Sequence, residues 1–121
     1  MLKRILVLDD NMDILEVVHE ILTYENFEVK STSDSKSIID IAENYNPDLI
    51  ILDYRLLDDN GGEICRNFKS HKIMHRVPVI IFSAYLNKNV DFMSFGCDAV
   101  IAKPFSIDEL VDTVNQCLRL N

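Results

Sequence analysis

The 121 residues carry 20 acidic against 12 basic side chains, a formal net charge of −8, which disfavours nonspecific binding to nucleic acid or to an anionic membrane surface. That length suits one domain and leaves too little material for a second core; with 48% hydrophobic residues and only 3 Gly and 3 Pro, the chain can bury a core and lacks the composition of a disordered segment. Apolar runs such as Leu49 to Leu52 fall far short of the roughly 20 residues that span a bilayer, and Lys3 and Arg4 lead straight into a strand-like run instead of a secretory leader, so a cytoplasmic protein is expected.

Taken in chain order, short apolar runs alternate with amphipathic segments, the pattern of βα units around a parallel sheet buried on both faces. The first strand is predicted at Ile5–Leu8, followed by a helix whose Ile14, Leu15, Val18, Ile21 and Leu22 recur at helical spacing. A second strand at Phe27–Ser31 leads to a helix marked by Ile38, Ile39, Ile41 and Ala42, stopped by Asn46-Pro47. The third strand is Leu49–Leu52, after which Gly61-Gly62 reads as a loop before the third helix. The fourth strand is Val77–Phe82, with Gly96 placed to end a fourth helix in a left-handed conformation. The fifth strand is Ala99–Ala102, and a fifth helix opens on a capping box of Ser106 and Glu109, with Phe105 and Leu110 at the two positions of a hydrophobic staple. The expected architecture is α/β, a doubly wound five-stranded parallel sheet flanked by five helices, spanning 1–121 as one module with no residues left for an output domain.

The chemistry-bearing residues fall at the carboxyl ends of the strands, where open parallel sheets place their ligand crevice. Asp9 and Asp10 follow the first strand, Asp53 the third, Ser83 the fourth and Lys103 the fifth. A lone carboxylate after a strand is usually a solvated rim residue, but suitable groups at four strand ends form a constellation. Three carboxylates held together repel one another and call for a cation; Mg²⁺ takes oxygen ligands, keeps several waters, and is often shared between one or two carboxylates and a phosphate. Lys103 can pair with Asp53 and then with phosphoryl oxygens, and the Ser83 hydroxyl can donate to another. Such charge neutralisation is most of what phosphoryl transfer asks of a protein.

The stretches ILVLDDN, DLIILDY ending next to Asp53, NGGE seven to ten positions after it, VPVIIFSA and AVIAKPF together resemble the receiver domains of bacterial response regulators over the whole chain. The resemblance implies the strand order 2-1-3-4-5 and a phosphorelay role in two-component signalling, as a self-phosphorylating domain with no turnover of an external substrate. It implies Asp53 as the phosphoacceptor, Asp10 as a direct Mg²⁺ ligand, Asp9 as a partner of metal-bound water, and the Arg55 carbonyl as a further ligand. Ser83 and Lys103 match the phosphoryl-binding hydroxyl and lysine, and the Lys103-Pro104 peptide bond is expected to be cis. The donor would be a histidine kinase or a histidine phosphotransfer protein, and the output a protein partner bound through the fourth helix, fifth strand and fifth helix, without direct nucleic-acid or membrane contact.

The sequence departs from the commonest pattern of that family. Val100 stands where a switch Tyr or Phe is usual, Leu57 replaces a frequent proline and leaves its turn less rigid, and Arg55 and Tyr85, each two residues beyond a site residue, are candidates for tuning the phosphoryl lifetime. Val100 keeps a second reading open, a phosphorylation-independent adaptor that uses the fold only for docking. A flavodoxin-like or haloacid-dehalogenase-like enzyme fits poorly, since Asp9-Asp10-Asn11 would repel a cofactor phosphate and no second Asp stands two residues after Asp53. Cys65, Cys97 and Cys117 have no CxxC or His-linked spacing and read as reduced packing residues. His71 and His75 lie in a basic stretch near the end of the third helix, where positive charge suits the helix dipole, and His19 reads as a surface residue.

Overall fold

The computed structural model describes residues 1–84 and 90–119. Five parallel strands, β1 (Arg4–Leu8), β2 (Glu28–Thr32), β3 (Leu49–Asp53), β4 (Val79–Ser83) and β5 (Ala99–Ala102), lie in the order β2-β1-β3-β4-β5. Side chains alternate across a strand, so each central strand feeds two cores. Ile5, Val7, Leu49, Ile51, Ile80 and Phe82 pack with Leu15, Val18 and Leu22 of helix α1 (Met12–Tyr24) and with Leu110, Val114 and Cys117 of helix α4 (Ile107–Arg119). Leu6, Leu8, Ile50, Leu52, Val79 and Ile81 face the other way, onto Ile38 and Ala42 of α2 (Ile38–Tyr45) and Ile64, Cys65 and Phe68 of α3 (Gly61–Lys69). This two-sided burial is why the central strands read as unbroken apolar runs. Among the described residues no helix is long and apolar enough to cross a membrane.

Several expectations need correction. Among the described residues there are four α-helices instead of five. Where the fourth of the five was expected, the described part is a 3₁₀ helix, Phe92–Phe95, closed by Gly96 at φ 86°. Strand β2 starts one residue later than predicted, because it is an edge strand paired only with β1 and has too weak an apolar alternation to fix its register. Strand β4 begins after Pro78, which has no N–H for a ladder.

The Gly61-Gly62 pair does not form a loop before the third helix; it is the first turn of α3. Asn60 caps that turn, its side chain accepting from the amides of Gly62 at 2.7 Å and Glu63 at 3.2 Å. Glycine is needed at 61 for close approach, since a Cβ there would lie 2.1 Å from the Asp53 carbonyl oxygen. The capping box of α4 forms as expected, with Glu109 N–H donating to Ser106 Oγ at 3.0 Å and Ser106 N–H to Glu109 Oε1 at 3.3 Å. Phe105 stacks on Phe82, ring centroids 4.9 Å apart.

Helix α3 ends at Lys69, so both histidines of the basic stretch lie beyond it, His75 within a short 3₁₀ helix, Met74–Arg76. His71 Nδ1 instead accepts from the amides of Ile73 and Met74 at 3.0 and 3.1 Å, and its Nε2 lies 3.1 Å from Glu43 Oε2 on α2. The imidazole therefore has an acidic neighbour, 28 residues away in sequence. None of the three cysteines is in a disulfide, and all three are buried.

Candidate functional site

The parallel ladders align the strand ends. Asp53 pairs in register with Phe82, and Ser83 with Ala102 next to Lys103. Backbone bonds lock this edge: Tyr54 N–H donates to the Phe82 carbonyl, Gly61 N–H to the Tyr54 carbonyl, and Lys103 N–H to the Ser83 carbonyl, each at 2.8 Å. The Lys103-Pro104 peptide bond is cis.

Burial is unusual here for polar groups. Asp9, Asp53 and Ser83 are 1%, 8% and 2% exposed, where charged residues are rarely buried unless paired. The Lys103 ammonium lies between two of them, 2.8 Å from Asp9 Oδ2 and 3.1 Å from Asp53 Oδ1. The other oxygen of Asp9 accepts from Asn11 N–H at 2.9 Å. Asp10, half-buried at the same rim, accepts from the backbone N–H of Leu57. Arg55 is exposed and forms an isolated bridge with Asn60 that shapes the loop leading to α3.

One ammonium shared by two carboxylates does not neutralise them. Burial, then the charge of Asp9, holds the Asp53 carboxyl above its ordinary range despite the bond to Lys103. Burial alone would lower the Lys103 ammonium, but its bonds to Asp9 and Asp53 outweigh that and raise it. Both directions describe one condition: the lysine is strongly held, and the Asp53 carboxylate still lacks positive charge.

Sequence reasoning places Asp9, Asp10, Asp53, Ser83 and Lys103 together, and the structure gathers all five at one end of the sheet. Val100 is not in this group; it is half-buried against the core on the α2 and α3 side of the sheet. Tyr85 lies outside the described residues. The aromatic neighbourhood of Asp53 went unnoticed in the sequence. Tyr54 packs edge-on against Phe92, centroids 5.0 Å apart, and lies 6.1 Å from Phe95. Its only sequence signal is a ring next to Asp53. A groove of about 590 Å³ lies at the opposite end of the strands beside Lys3, Arg76 and Asp98; the chemistry of the side chains and not the volume of a cavity locates the site.

The sequence profile of the response regulator receiver domain matches residues 5–115. The chain belongs to that family. The receiver domain is 26% identical over 120 residues to the polar-differentiation response regulator DivK of Brucella ovis, covering 98% of each chain. It is 34% identical over 118 residues to the response regulator ArlR of Staphylococcus aureus, covering 96% of this chain and 52% of that one. Among solved structures, the response regulator TrrA of Thermotoga maritima, crystallised in complex with Mg²⁺-BeF, superimposes with a TM-score of 0.86 at 29% identity, covering 96% of this chain and 99% of that one. Receiver domains are signalling modules, and the general role that follows for this chain is that of a phosphoacceptor in two-component signalling.

The donor set at the strand ends is chemically suited to Mg²⁺, being carboxylate and carbonyl oxygens around a site short of positive charge. Among the described residues, no three acidic, histidine or cysteine side chains are gathered closely enough to hold a metal as they stand. The reason is visible in their partners: Asp9 and Asp53 turn to Lys103, and Asp10 turns to Leu57.

Proposed function

We propose that Asp53 accepts a phosphoryl group from the phosphohistidine of a histidine kinase or phosphotransfer protein, with Mg²⁺ required. A carboxylate oxygen of Asp53 attacks phosphorus in line, the N–P bond breaks, and the donor imidazole leaves with the bonding electron pair, yielding an acyl phosphate. Asp10, Asp53 and the Arg55 carbonyl would hold the metal, with Asp9 holding its water; when bound, Mg²⁺ supplies the positive charge that lets a dianionic donor approach a carboxylate. Lys103 neutralises the phosphoryl oxygens and Ser83 donates to one of them. Arg55 and Tyr85 tune how fast water reaches the acyl phosphate. The observation that carries this reading is geometric: buried Asp9 and Asp53 share the single ammonium of Lys103 at 2.8 and 3.1 Å, with Asp10 at the same rim and Ser83 at the neighbouring strand end.

Output follows from Ser83. Its bond to the phosphoryl group draws the strand end inward, and its ladder partner Ala102 passes the movement to β5. The responding face comprises the 3₁₀ helix Phe92–Phe95, β5 and α4, and a protein partner that binds one state of it better completes the switch. Val100, with no ring or hydroxyl, favours the competing adaptor reading. Incubation with a small acyl phosphate and intact-mass measurement separates the two: one phosphoryl group is expected, lost with chelator or in Asp53→Ala. A protein that stays unmodified with Mg²⁺ present is an adaptor.

A further inference from the structure

The Leu57 side chain is 90% exposed, so it contributes almost no packing to the loop it occupies. What the position contributes is its backbone N–H, which donates to Asp10 Oδ2 across 47 residues of sequence. The proline frequent at this place in receiver domains has no N–H to give. Building on the metal reading above, we propose that the Leu57 amide competes with Mg²⁺ for the Asp10 carboxylate. It holds that carboxylate in the metal-free protein and is released on metal uptake.

The loop is built so that this release is local. Leu56 is buried and its N–H donates to the Asp59 carbonyl at 3.2 Å, and the Arg55–Asn60 bridge closes the loop base. Those contacts do not involve Asp10, so losing the Leu57 bond frees the Leu57 amide without opening the loop. The amide thus lowers the affinity for Mg²⁺ and reports its arrival at an exposed point beside the acceptor. A hydrogen bond to a charged group is the kind whose removal changes an equilibrium about tenfold or more.

The test is a Mg²⁺ titration of the whole chain followed by amide resonances, with hydrogen exchange at Leu57. Leu57→Pro, which lacks the donor, should bind Mg²⁺ about tenfold more tightly, whereas Leu57→Ala, which keeps it, should match the parent. In the unsubstituted protein the Leu57 amide should exchange slowly in chelator and quickly at saturating Mg²⁺, a readout independent of how Leu57→Pro folds. Equal affinity of Leu57→Pro and parent, or a Leu57 amide equally protected with and without metal, overturns the inference and leaves the metal reading standing. A parent that shows no saturable response to Mg²⁺ overturns the metal reading and the inference with it.

Discussion

Replacing Gly61 by alanine tests whether Asp53 is positioned by the backbone of α3. A Cβ at 61 would lie 2.1 Å from the Asp53 carbonyl oxygen, 2.8 Å from its carbonyl carbon and 3.0 Å from Tyr54 Cα, all backbone atoms that cannot rotate away. Relief requires a movement of the order of 1 Å, which strains the 2.8 Å bond from Gly61 N–H to the Tyr54 carbonyl. Overpacking costs about 1–3 kcal/mol and the weakened bond about 1 kcal/mol, against a gain of about 1 kcal/mol from helix propensity. The net loss is about 2 kcal/mol, or about 8 °C in melting temperature for a domain of this size. The same displacement moves Asp53, and a misplacement of about 1 Å can slow a reaction about a hundredfold. Circular-dichroism melting, together with the rate of labelling by a small acyl phosphate, checks both effects. Gly62→Ala is the contrast, because the obstacle there is the Phe95 ring, 2.5 Å from a built Cβ, a side chain able to swing. A Gly61→Ala variant that melts within about 2 °C of the parent and labels at the parental rate would refute the argument.

Three further outcomes are expected. In chelator, the raised Asp53 carboxyl makes the native state bind a proton more readily than the unfolded state, so its contribution to stability is lost as pH rises from the ordinary carboxylate range through the raised value. Asp53→Asn should therefore be the more stable protein at pH 7 in chelator and lose that advantage with Mg²⁺; urea titrations giving the opposite order would show that the bond to Lys103 outweighs burial and the charge of Asp9. Burial pushes the Cys65 thiol up to about 12 and raises Cys97 and Cys117 as well, so none should be alkylated in the folded protein at pH 8 and all three should be after unfolding, with rapid native labelling as the contrary result. Hydrogen exchange between residues 90 and 105 should change on adding Mg²⁺ and a phosphoryl mimic, and Ser83→Ala should abolish most of that change while Val100→Ala should not; equal responses would remove Ser83 from the output route.

The strands and their acidic ends were legible because a parallel strand covered on both faces is an apolar run, and Asp9, Asp53 and Lys103 each stand where such a run stops. The edge strand β2 was legible only to within a residue, since Glu28 and Lys30 face solvent and dilute its pattern. Gly61-Gly62 was misread because a glycine chosen for a close backbone approach looks the same in sequence as one chosen for flexibility. The pairing of His71 with Glu43 was not legible, because the carboxylate belongs to another helix. Leu57 was noticed for the rigidity it takes away, whereas its consequence in the fold is the N–H it adds, and only the tertiary structure brings that donor to Asp10. Local pattern shows which residues reach the rim; which of them pair there is decided by contacts between distant segments.

The most direct test of the account is to locate the phosphoryl group. The protein is treated with a small acyl phosphate and Mg²⁺, reduced with borohydride to convert an aspartyl phosphate into homoserine, digested, and its peptides sequenced by mass spectrometry. The account predicts homoserine at position 53 alone, and none when Mg²⁺ is withheld; reduction at Asp9 or Asp10, or equal conversion of Asp53 without the metal, would contradict it.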